Sequence, residues 1–188
     1  RVLFRSDATA SAMMQFVLSM RSDALQPVAE AFMAWVDLRQ GRPTTALRWA
    51  RGADLNSLGS GFTMFFDEGP TLVEVLLSSE SQPDIARGRL LLDQYRASAE
   101  QRHNHPLTLH LLGLDALDMA ARGDEARALD SLRSAVTMSC HSGMIRRLAD
   151  LGPRLAPLLH RLDVEGDVLV HVGAILEALE PTGHAETA

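Results

Sequence analysis

Two stretches of this chain share one spacing. Residues 38–53 read LRQGRPTTALRWARGA, and residues 120–136 read AARGDEARALDSLRSAV. Each holds a Gly, then five residues on an Ala followed by Leu, then another Ala seven residues after the first. Gly adopts the left-handed backbone that stops a helix without the steric penalty of a Cβ. A small residue early in the next helix lets that helix approach its predecessor closely. The spacing therefore predicts two antiparallel helices joined by a tight turn, written twice, 82 residues apart. The positions are Gly41, Ala46, Ala50 and Ala53 in the first copy, and Gly123, Ala128, Leu132 and Ala135 in the second. A degenerate middle copy runs Ser81, Ala86, Leu90. Ala34 and Ala116, seven residues before each Gly, are small where the first helix would meet the second.

Between these landmarks the chain reads as helix after helix. A first helix is expected over 8–20, and a second from Pro27 to Gln40 with apolar Val28, Ala31, Phe32, Trp35, Val36 and Leu38 on a broad stripe. A third starts at Pro43, where a missing N–H costs nothing in the first turn. Residues 52–61, GADLNSLGSG, read as a loop, and a break is expected at Gly69-Pro70, with Thr71 capping the helix that follows. Further helices are expected in SQPDIARGRLLLDQYRASAEQ, LTLHLLGLDALDMAA and DEARALDSLRSAVTMSC, and short ones in MIRRLADLG and PRLAPLLHRL. GDVLVHVGAILEAL reads as a last helix, although VLVHV alone has the composition of a strand. Residues 181–188 read as a disordered tail. The first six residues, RVLFRS, resemble a translated sequencing or cloning primer and are set aside as non-native. The expected organisation is residues 1–6 non-native, 7–162 a helical repeat region, and 163–188 a last helix with a flexible tail.

Composition agrees. Leu and Ala, both strong helix formers, dominate, and aromatic residues make up only 5% of the 188. The fold class expected is all-α: a stack of antiparallel helix hairpins, each burying its apolar face on its neighbour, as in the tetratricopeptide (TPR) α-solenoid. The net charge of −6 argues against a direct nucleic-acid contact, which needs a basic face. All 18 basic residues are Arg, which we attribute to a GC-rich coding sequence. One cysteine, Cys140, excludes an intrachain disulfide and suits a reducing cytoplasm. No apolar run reaches the length of a membrane helix, so no membrane partner is expected.

A resemblance extends along residues 28–160. Ala46 with Trp49-Ala50, then Ala121, Gly123 and Asp124, then Ala128-Leu129 and Leu132, then Arg146 or Arg147, Asp150, Gly152 and Leu158-Leu159 stand in an order that resembles the TPR-like sensor region of large ATP-dependent LuxR-type transcription activators, the maltose-activator type. The chain departs from that family at Leu148, where an aromatic residue is usual, and at FFDEGP, where a charged helix entry is usual. The resemblance implies a bacterial, cytoplasmic, non-enzymatic region that receives a small-molecule inducer or a regulatory protein and helps control self-assembly. It implies an ATPase module before the region and a helix-turn-helix module after it. No G-x-x-x-x-G-K-[ST] occurs in this sequence, so ATP belongs only to the missing module and no cofactor is expected here. The alternative is a general TPR scaffold that binds a partner's peptide or helix, without a link to transcription.

Candidate chemistry is sparse. His103 and His105 flank Asn104, but no further ligands stand at metal-site spacing, so no metal is expected. No nucleophile elbow, paired carboxylates or Cys–His arrangement is recognisable, and no catalytic residue is assigned. In TPR proteins the first helix of each pair lines the concave groove. By that register Trp35 and Arg39 in one pair, and His110 in another, are the candidate ligand contacts: a flat apolar platform, a fork for anions and a switchable donor.

Overall fold

The computed structural model of the chain describes residues 11–12, 14–17, 19, 25–53 and 68–180, and among these every regular element is helical. Residues 11, 12, 14–17 and 19 belong to α1. There follow α2 (Gln26–Arg39), α3 (Pro43–Gly52), α4 (Glu68–Leu77), α5 (Gln82–Gln101), α6 (His105–Ala121), α7 (Glu125–Ser142), α8 (Ile145–Ala149), a 3-10 turn (Pro153–Leu155) running into α9 (Ala156–Leu159), and α10 (Gly166–Leu179). The chain is all-α. It divides into two compact units, residues 1–95 and 96–188, with the boundary inside α5. Most of the expected loop at 52–61, the tail at 181–188 and RVLFRS lie outside the described residues.

The turns explain why so short a linker suffices. α2 and α3 are separated by three residues, as are α5 and α6, and α6 and α7. At Gly41 (φ 73°) and Gly123 (φ 80°) the backbone is left-handed. The N–H of Gly41 reaches the Leu38 carbonyl and that of Arg42 the Asp37 carbonyl; Gly123 reaches Ala120 and Asp124 reaches Met119. These paired bonds satisfy carbonyls that a helix end otherwise leaves open. The α5–α6 corner repeats the pattern with a residue other than glycine: His103 has φ 52°, its N–H bonds the Glu100 carbonyl, and Asn104 bonds that of Ala99. At Gly143 (φ 69°) the next N–H, that of Met144, again reaches back five residues, to Ser139. Asn104 and Asp124 then cap the following helices by accepting from the Leu107 and Arg127 N–H groups.

The left-handed corners set up a matched pair of outcomes. Gly123→Ala should lose roughly 1 kcal/mol of stability, because a Cβ is disfavoured there even though nothing stands within 4 Å of it. His103→Gly should gain a few tenths to about 1 kcal/mol, because relief of the left-handed strain outweighs the added freedom of the unfolded chain. Urea midpoints of the two variants should move in opposite directions; a shift of the same sign in both would be wrong for this geometry.

The alanines mark where helices touch. Ala46 and Ala50 of α3 are fully buried, as are Ala128, Leu132 and Ala135 of α7, and Ala34 and Ala116 on their preceding helices are at most 3% exposed. The middle copy does not follow that register. Ala86 is exposed and Leu90 is 59% exposed. The helix instead turns Gly88, Leu91, Leu92 and Ala99 inward, and a Cβ on Gly88 would stand 3.1–3.3 Å from Leu76 and Leu77. The α4–α5 corner has no glycine and is built by side chains: the Ser79 hydroxyl donates to Asp84 and accepts from the Ser81 N–H, while Arg51 forks onto Asp84. Arg51, and after it Ser79, hold the Asp84 carboxyl below the usual carboxylate range.

Two further expectations give way. Gly69-Pro70 is not a break: both lie in the first turn of α4, which begins at Glu68, and Thr71 is a buried helical residue rather than the cap. Proline is accepted there for the reason it is at Pro43. The last helix forms where it was expected: VLVHV lies wholly within α10, with its Val172 and, three residues on, Ile175 buried.

Candidate functional site

In the first unit the structure brings together two of the three expected contacts. Phe32, Trp35 and Arg39 stand three and four residues apart on α2 and so share one face. The Phe32 and Trp35 rings stack with centroids 5.8 Å apart and planes 18° from parallel. The Arg39 guanidinium lies over the indole, its Cζ 5.2 Å from the ring centroid, in a cation–π arrangement. Both ends of its fork engage Glu74 of α4, Nη1 to Oε1 at 2.8 Å and Nη2 to Oε2 at 3.1 Å. Glu74 is 2% exposed and the Arg39 side chain 15%. The fork expected to meet an external anion is thus engaged by a carboxylate of the chain itself. Its effect is to tie α2 to α4, and an outside anion would have to displace Glu74.

His110 belongs to the second unit. It sits half-buried on α6 with Nδ1 3.3 Å from the Arg147 carbonyl, so it links α6 to the middle of α8. Nearby on α6, Asp115 is buried and receives Arg96 Nη1 at 2.6 Å and the Ser131 hydroxyl at 3.0 Å, which joins α5, α6 and α7. Glu125, at the start of α7, pairs with Arg161.

Ser139 and His171, 32 residues apart, form a contact that no spacing rule predicts. Ser139 is fully buried on α7; its hydroxyl lies 2.7 Å from His171 Nε2 on α10 and 3.2 Å from the Met144 carbonyl. With one hydroxyl hydrogen donated to Met144, the imidazole Nε2–H donates to the serine oxygen. A hydroxyl without exposed surface is out of a substrate's reach, so the pair is structural. Burial pushes the His171 pKa below its usual 6.5. A histidine whose folded pKa is depressed supports folding fully above its unfolded pKa, and that support is lost as pH falls through the folded value. The urea midpoint should therefore drop as pH falls below about 6.5, and His171→Gln should flatten that drop. An equal drop in both proteins would assign it to other groups.

The second unit also carries a groove of about 660 Å³ along α7. Met138 and Met144 give it apolar surface, and Arg133, Thr137, His141 and His105 supply polar groups. His141 Nδ1 donates to the Thr137 carbonyl at 2.7 Å, which fixes the ring and turns Nε2 away from that bond. Arg133 Nη1 contacts Asp130 at 2.8 Å in an exposed pair. Sequence reasoning passed over these residues because Arg133, Thr137 and His141 read as an ordinary solvated face of α7. Their only common signal is i, i+4 spacing, which every helix supplies. Among the described residues no group of three His, Cys, Asp or Glu side chains is placed to hold a metal ion, and no helix is long and apolar enough to cross a membrane. Compared with known proteins, the chain matches no protein-family model, no curated protein and no solved structure.

Proposed function

We propose that this chain is the signal-sensing and assembly region of a bacterial ATP-dependent LuxR-type transcription regulator, built as a TPR-like stack of helix hairpins and without catalysis of its own. The reading rests on the residue order over 28–160 together with one structural observation: the same hydrogen-bonded left-handed corner recurs at Gly41, His103 and Gly123. Recurring corners with close alanine contacts are how a helical-repeat protein tiles one unit against the next. A small inducer or a regulatory protein would act by binding one arrangement of the helix pairs better than another, which shifts the population between them. Self-association fits the same role. Leu169 and Val170 of α10 are 54% and 74% exposed, apolar surface that a further helix or a second copy would cover.

The coding sequence on both sides tests the parentage. The reading requires a phosphate-loop ATPase upstream and a helix-turn-helix module downstream, and the protein spanning all three should assemble only with ATP. A complete gene with neither module would overturn it and leave a peptide- or helix-binding scaffold.

A further inference from the structure

The groove on α7 has a chemistry of its own. Its volume, about 660 Å³, lies within the range that holds small organic ligands. Among the described residues no carboxylate lines it, although the chain carries 24 acidic residues against 18 basic ones. Arg133, His105 and His141 all carry or can acquire positive charge, and Met138 and Met144 offer polarizable, adaptable apolar surface. Among the described residues Arg133 is engaged only through Nη1, by an Asp130 whose side chain is 74% exposed. Exposed pairs of this kind contribute little, so the guanidinium is available to a better-placed carboxylate. Its planar fork matches a carboxylate with two parallel hydrogen bonds.

We infer that this groove binds a monocarboxylate of roughly eight to ten carbons in all, the carboxylate on Arg133 and the chain along Met138 and Met144. The assignment stands on the groove alone and holds whether or not the chain belongs to a transcription regulator. His141, held by Thr137, offers its Nε2 as a further polar contact for the ligand's head. A phosphate ester without an apolar body would leave the methionine floor wet. A neutral chain would leave the cationic groups without a counter-charge.

Calorimetric titration of the whole chain with sodium octanoate tests the inference, with 1-octanol and acetate as the uncharged and the headgroup-only probes. Octanoate should bind with a sub-millimolar dissociation constant and each control at least about tenfold more weakly. Arg133→Gln should weaken octanoate at least about tenfold, because a charge-assisted bond is lost. Met138→Glu, which puts a carboxylate on the floor, should abolish binding. Both variants should keep the helical circular dichroism of the parent, since neither side chain is buried. An octanoate dissociation constant above about 1 mM, octanol binding as tight as octanoate, or unchanged affinity in Arg133→Gln would each overturn the inference.

Discussion

Gly113→Leu should destabilise the chain by about 3 kcal/mol. Gly113 is buried at the middle of α6, where the segment Ile145–Leu151 crosses it. A Cβ placed there would clash with Leu151 Cδ1 and stand 3.1 Å from Leu148 Cδ2. Leu148 and Leu151 are at most 1% exposed, so neither has open space to retreat into. Alanine at the same position should cost far less, because it adds one methyl group where leucine adds four carbons, and the helix gains roughly 1 kcal/mol in propensity over glycine. Room can be restored from the other side: Gly113→Leu combined with Leu151→Ala should recover part of the loss. Chemical unfolding of the three proteins decides it. A leucine variant within about 0.5 kcal/mol of the parent would mean that α6 and the crossing segment are not in contact.

Arg39→Met should cost about 3 kcal/mol, for a different reason. It takes the bidentate cation from a carboxylate that is 2% exposed, and a buried charge that loses its partner is far costlier than the pair is beneficial. Replacing both ends, Arg39→Met with Glu74→Leu, should restore most of that stability, since the pair's attraction roughly offsets its own desolvation. The loss in the single variant should also change the Trp35 fluorescence, because the guanidinium leaves the indole face. Strictly additive effects of the two substitutions would show that Arg39 and Glu74 do not interact.

The corners and the alanine contacts were legible in the sequence because both are local. Gly41 and Gly123 stop one helix and fix the start of the next, so the residues five to twelve positions on fall on a face set by the turn. The middle copy failed for the same reason: Ser81 does not fix the backbone, and Ser79 and Asp84 build a corner of another kind, which rotates α5 so that Gly88 rather than Ala86 faces inward. Close approaches at Gly88 and Gly113 were invisible because a glycine inside a helix has no period of its own. Arg39 read as a fork for an external anion; the Glu74 that engages that fork is 35 residues away, and no spacing rule links them. The groove escaped notice because it is assembled from the polar side of α7, from Met144 beyond the next corner, and from His105 at the start of another helix.

Amide hydrogen exchange at the corners tests most directly that one left-handed, hydrogen-bonded turn recurs at Gly41, His103, Gly123 and Gly143. The N–H groups of Arg42, Asn104, Asp124 and Met144 each reach back to a carbonyl five residues earlier, at 2.9, 2.9, 3.0 and 3.2 Å. In an open loop these amides would exchange at the rate of an unstructured peptide. The account predicts at least about tenfold protection at all four positions, with that of Asp124 reduced in Gly123→Ala. Unprotected exchange at these four amides, alongside protected helix interiors, would contradict it.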